Sequence, residues 1–138
     1  MSAEQTAAVH GTSKRFSGDT PPVNGQVLEF VSASKSVQIC ETANAAVVAG
    51  LFDQSMQDTS GLLGSDGQLL TPVTGGIWKL IACGSVAVGD ELITALSGTV
   101  TEKSAAGTPN VFWRAMEAAS DTEEFVGEFV IGLSGGSA

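Results

Sequence analysis

Residues 75–102 read GGIWKLIACGSVAVGDELITALSGTVTE, and residues 111–133 read VFWRAMEAASDTEEFVGEFVIGL. Short apolar runs recur in both, each stopped by glycine or a small polar turn. Ile77 to Ile81 alternates, with Ile77, Lys79 and Ile81 on one face and Trp78 and Leu80 on the other. Both faces carry apolar groups, as in a strand that touches a second surface. Val86 to Glu91 reads as a turn entering a strand over 92–96. Ser97-Gly98 then turns the chain into the return strand of a hairpin. Residues 124–133 read as the last strand, with a bulge expected at Gly127. Residues 115–120 favour helix by composition. The pattern predicts an all-β fold, a small β-barrel or β-sandwich of about eight short strands with an extended N-terminal arm.

Working back from Gly75, the strand signals begin at Gly25. Residues 26–31 and 37–40 are strand candidates, with Val37 and Ile39 sharing a face and a polar turn at 32–36 between the two. Residues 43–52 suit strand or helix by periodicity, and Val47-Val48 before Gly50 tips the reading to strand. Residues 53–67 form the longest internal loop, with Met56, Leu62 and Leu63 to pin it. Its Asp53, Asp58 and Asp66 lack the close alternation of a calcium loop. Pro72 places residues 68–73 at an edge or strand end.

Residues 1–24 are polar and small, and Pro21-Pro22 blocks helix and central strand alike. They read as an arm that orders on a partner or neighbouring subunit, ahead of a compact domain over 25–138 with a flexible C-terminal tail. Lys14, Arg15 and Phe16 make a basic and aromatic spot in that arm and are contact candidates.

The chain has 138 residues, enough for one domain with a core of its own, and 17 glycines, which suit tight turns. Its net charge of −9 argues against nucleic acid and against an anionic membrane surface as partners. No stretch reaches the ~20 apolar residues of a membrane helix, and the start lacks a signal-peptide core. Synthesis in the cytoplasm without export is expected. Cys40 and Cys83 sit in strand-like runs and are expected as buried free thiols, a disulfide staying open if the strands are neighbours. With His10 the single histidine, neither a zinc set nor a Ser-His-Asp triad assembles. Phosphate-loop motifs are absent, and Glu117, Glu123, Glu124 and Glu128 read as solvated acids. No catalytic residue, metal or cofactor is therefore expected. Trp78, Phe112 and Trp113 are large aromatics within residues 75–133. Adjacent strand residues face opposite ways, so Phe112 and Trp113 are not both expected in one core. One of them, with Trp78, is a candidate for a subunit or partner interface.

The same residues carry a resemblance. Gly76 to Ile81, the Val86 and Gly89-Asp90 turn, the Ser97-Gly98 hairpin, Ala115 to Ala119 and the run Phe125 to Leu133 resemble the small phage capsid decoration proteins. These are also described as head decoration, cementing or capsid fibre proteins. The match covers Gly75 to Leu133, under half the chain, and residues 1–74 fit it less well. The resemblance implies a β-domain without catalytic activity that binds and stabilises the outside of an assembled head. Its implied partners are the major capsid protein and two further copies in a homotrimer, on the outer surface of the virion. A tail or fibre component, or a small β-fold carbohydrate-binding module, is the alternative.

Overall fold

In the computed structural model the described residues are 13–31, 36–57 and 66–130. His10, the first twelve residues of the expected arm, the turn residues 32–35, the loop residues 58–65 and the chain beyond 130 lie outside them.

The described chain is all-β and divides along the sequence into two five-stranded sheets. Sheet A comes from the first half. It contains β1 (Lys14–Phe16), β2 (Val27–Phe30), β3 (Ser36–Ile39), β4 (Gly50–Leu51) and β5 (Leu69–Leu70), in the order β4-β2-β3-β1-β5. Sheet B comes from the stretch quoted at the outset. It contains β6 (Ile77–Ile81), β7 (Glu91–Thr94), β8 (Val100–Glu102), β9 (Trp113–Ala115) and β10 (Glu124–Phe129), in the order β6-β10-β9-β7-β8. All pairings are antiparallel except β1 with β3. A parallel bridge between Ala82 and Val100 curls sheet B towards a half-barrel.

The core lies between the sheets. Val27, Leu51 and Cys40 from the sheet A side pack with Leu80, Leu92, Val100, Trp113, Ala115 and Phe125 of sheet B. A second cluster joins Phe16, Leu28, Val37 and Leu70 to Ala49 and Phe52, with Ile39 against it. Val37 and Ile39 thus share a face, as their alternation predicts. The two clusters use opposite faces of sheet A, because successive strand residues alternate. Sheet A is therefore apolar on both sides over part of its area.

Three local expectations are corrected. Gly127 is not at a bulge: β10 pairs with β6 without a slip, from Glu124 opposite Ile81 to Glu128 opposite Ile77. Glycine is needed there because a Cβ would lie 2.6 Å from Leu80 Cδ1. Residues 115–120 form no helix. The Met116 N–H donates to Val126 O, and Ala119 and Val86 exchange both backbone bonds. These tertiary bonds override a propensity worth only tenths of a kcal/mol per residue. Of residues 43–52, Gly50–Leu51 alone form a strand. The hairpin at Ser97-Gly98 is present, as a single 3-10 turn (Leu96–Gly98) between β7 and β8.

Candidate functional site

The outer edges of the two sheets, β4 and β6, meet along an open groove of about 290 Å³. Leu51, Phe52, Trp78 and Val126 give it apolar lining, and Asn24, Asp53 and Lys79 give it polar groups. Its walls are pinned from the backbone outward. The Trp78 Nε1–H donates to Gly75 O at 2.5 Å, which fixes the indole across the glycine turn. The Gln54 N–H donates to Asn24 Oδ1 at 2.7 Å, and Asp53 Oδ1 accepts from the N–H and Oγ of Ser55. Gly25 has φ +93°, and a Cβ there would come within 3.0 Å of Lys79 O. Only glycine lets this turn rest against β6.

The outer face of sheet B continues from this groove. Alternation and register put Ile77, Lys79 and Ile81 beside Glu124, Val126 and Glu128, and these beside Arg114 and Met116. Charges of opposite sign are paired across the strands. Lys103 Nζ lies 2.7 Å from Glu91, Arg114 lies 3.9 Å from Glu91 and 3.4 Å from Glu128, and Lys79 lies 3.8 Å from Glu124. The hydrogen bond to Glu91, and then its charge, hold the Lys103 ammonium above its ordinary pKa. Such solvent-exposed pairs contribute little to stability, so their interest lies in charge pattern.

A buried polar knot sits on sheet A. Glu29 is 8% exposed and accepts from Gln38 Nε2 at 2.6 Å, Glu41 N at 3.2 Å and Cys40 Sγ at 3.5 Å. Burial raises the Glu29 pKa, but the hydrogen bonds from Gln38, Thr42, Glu41 and Cys40 together outweigh it and leave it lowered. Burial pushes the Cys40 thiol up to about 11, and the Glu29 charge adds to this. The thiol stays protonated and serves as a donor. A carboxyl with a lowered folded pKa contributes stability that is complete above its ordinary value and is lost as pH falls through the folded one. Glu29 should therefore add to urea resistance near neutral pH and lose that contribution at acid pH, below the ordinary carboxylate value. Glu29→Gln should cost stability at the higher pH and progressively less at the lower. An equal cost at both values, by urea denaturation, counts against this role of Glu29.

The expected contact residues are not gathered in one place. Phe16 is 1% exposed and belongs to the core of sheet A. Lys14–Phe16 form β1, between β3 and β5. Lys14 and Phe16 share one face, while Arg15 takes the other and donates to Gly67 O at 2.7 Å. Phe112 and Trp113 both lie in the central core, against the expectation from alternation. The reason is that β9 starts at Trp113, so Phe112 is not held to the strand's pleat. Their ring centroids are 5.6 Å apart. Trp78 is half-buried and is the member of the set that lines the groove. Cys40 is buried and free as expected, whereas Cys83 is free and exposed, in the bend that follows Ala82. The Glu91, Lys103, Arg114 and Glu128 row went unread in the sequence. Arg114 and Glu128 lie on different strands, β9 and β10, so the row exists only once the strand order is known. Among the described residues, no three His, Cys, Asp or Glu side chains are grouped to hold a metal ion.

These two sheets, joined by a groove at their edges, define a fold of known type. The crystal structure of the N base of head fiber gp8.5 in bacteriophage phi29 is similar over 86% of this chain and 93% of that one, with a TM-score of 0.56 and 18% identity. At that identity the likeness is one of fold. No family model matches the chain, and no curated protein matches it.

Proposed function

We propose that this chain is a structural protein of a phage virion that binds the outer surface of the assembled head and stabilises the capsid lattice. The observation that carries the reading is the fold shared with a phage head fiber base over nearly the full length of both chains. The partner is the major capsid protein, and copies associate as trimers. The role needs no catalytic group, cofactor, nucleic acid or membrane. Many modest contacts suffice, because a protein that binds the assembled shell and not its loosened states stabilises the shell by mass action. A net charge of −9 keeps decorated particles apart.

The test uses heads of the source virus that lack this protein. Purified chain should co-sediment with them saturably and at fixed stoichiometry, and should raise the temperature at which the heads release their contents. Failure to co-sediment overturns the proposal. A second reading is that the chain is the base of a projecting fibre, which the name of the similar protein favours. Micrographs separate the two: an even coat on the lattice supports cementing, and isolated projections support a fibre base.

A further inference from the structure

We infer that the outer face of β6, β10 and β9, together with the adjoining Trp78 groove, is the surface through which one copy of this chain binds another. The inference takes the association of copies from the proposed function and adds where it occurs.

Charge singles out this face. The chain carries six Lys and Arg against fifteen Asp and Glu. Three of those cations, Lys79, Lys103 and Arg114, lie on or beside this face, paired with Glu91, Glu124 and Glu128. With Glu117, whose carboxylate accepts from the Val126 N–H, the face bears three cations against four acids and is close to neutral, and the remainder of the chain holds −8 of the −9. Two copies approaching through other surfaces meet like charge on balance, and like-charge juxtaposition across an interface opposes binding. Here the signs alternate across neighbouring strands. An identical face, rotated or offset, can set Lys and Arg against Glu.

Apolar contact is available on the same surface. Ile77 is 58% exposed and Met116 is 44% exposed, with half-buried Ile81 and Val126 on the strands between and beside them. Ile77, Lys79 and Val126 also line the groove, so the face and the groove are continuous. The groove offers half-buried Trp78, with Ile77 and Val126 beside it, to an apolar side chain of the second copy, in the way interface anchors fill pockets. Contact is by the face and not by strand addition. Lys79 stands in the middle of the edge strand β6, where an exposed lysine opposes edge-to-edge pairing.

The test uses the isolated full chain without heads, so its failure is distinct from a failure of the capsid reading. Sedimentation equilibrium of wild type should show concentration-dependent association. The double variant Ile77→Asp, Met116→Asp should weaken it by about tenfold or more at unchanged melting temperature. Val88→Asp, at an exposed position elsewhere, should leave it unchanged. Hydrogen exchange of wild type at low and high concentration gives a readout independent of any variant. Added protection should fall on residues 77–81 and 124–128. A monomer at all concentrations, an association that survives the double variant, or protection confined to other strands overturns the inference. Association through this face by a protein that does not bind heads would leave the inference standing and sink the capsid reading.

Discussion

Trp113→Ala should lower the unfolding free energy by about 3–5 kcal/mol, the range for truncating a large aromatic in a core. Trp113 is 1% exposed and sits between the sheets. It pairs with Leu92 on β7 and Phe129 on β10, and its ring meets that of Phe129 edge-on at 5.5 Å. The side chain thus ties three strands of sheet B to the inner face of sheet A. Against a total stability of about 5–15 kcal/mol for such a domain, the loss is large. At roughly 4 °C per kcal/mol, the melting temperature should fall by about 12–20 °C. Trp113→Phe is the informative companion. The indole Nε1–H has no hydrogen-bond partner among the described residues, and a buried donor left unpaired costs about 1–3 kcal/mol. Phenylalanine removes that cost along with part of the ring volume, so its net effect should stay within about 1.5 kcal/mol. Thermal and urea denaturation of both variants check the pair. Equal losses for Ala and Phe would show that a phenyl ring recovers none of the packing and that the unpaired indole N–H carries no such cost.

That prediction also marks where sequence reading fails. Alternation marks β6 at residues 77–81, and the Ser97-Gly98 turn marks the hairpin from local sequence alone. Alternation misled at Phe112-Trp113, because it holds only within a strand and β9 begins at the second of the two residues. β1 was unreadable for a different reason. Its parallel partner β3 and antiparallel partner β5 lie far along the chain, so the residues of an expected arm are built into a sheet by contacts that no local window contains. The candidate surface shares this property. Lys79 and Glu124, or Arg114 and Glu128, are ordinary scattered charges until the order β6-β10-β9 sets them side by side. Trp78 stands on a strand apolar on both faces, and it lines the groove. Its groove partners Asn24, Phe52 and Asp53 come from the other sheet's edge, and nothing in their own sequence announces the meeting.

Gly50→Ala should cost about 3 kcal/mol or more, far above the usual effect of adding one methyl group at an exposed turn. Two terms act together. Gly50 has φ +143°, a conformation that costs a residue with a side chain about 1–3 kcal/mol. A Cβ there would also stand 2.7 Å from Val73 O and 2.9 Å from Pro72 Cβ. Neither atom is the end of a flexible side chain. Val73 is fixed to Leu51 by two backbone hydrogen bonds of 2.9 Å, so relief of the clash must stretch or break them, at about 1 kcal/mol each. Gly75→Ala separates the two terms. Its φ is +79°, but no atom lies within 4 Å of the added carbon. It should lose only the conformational part, about 1 kcal/mol. The consequence reaches the candidate surface, since Leu51 and Phe52 form the wall of the groove that faces Trp78. Amide exchange at Leu51 and Val73 should accelerate in Gly50→Ala and stay near wild type in Gly75→Ala. Equal destabilisation by the two variants would mean that backbone conformation alone sets the requirement at Gly50. The close approach of β4 to Val73 would then be no part of what holds the groove in shape.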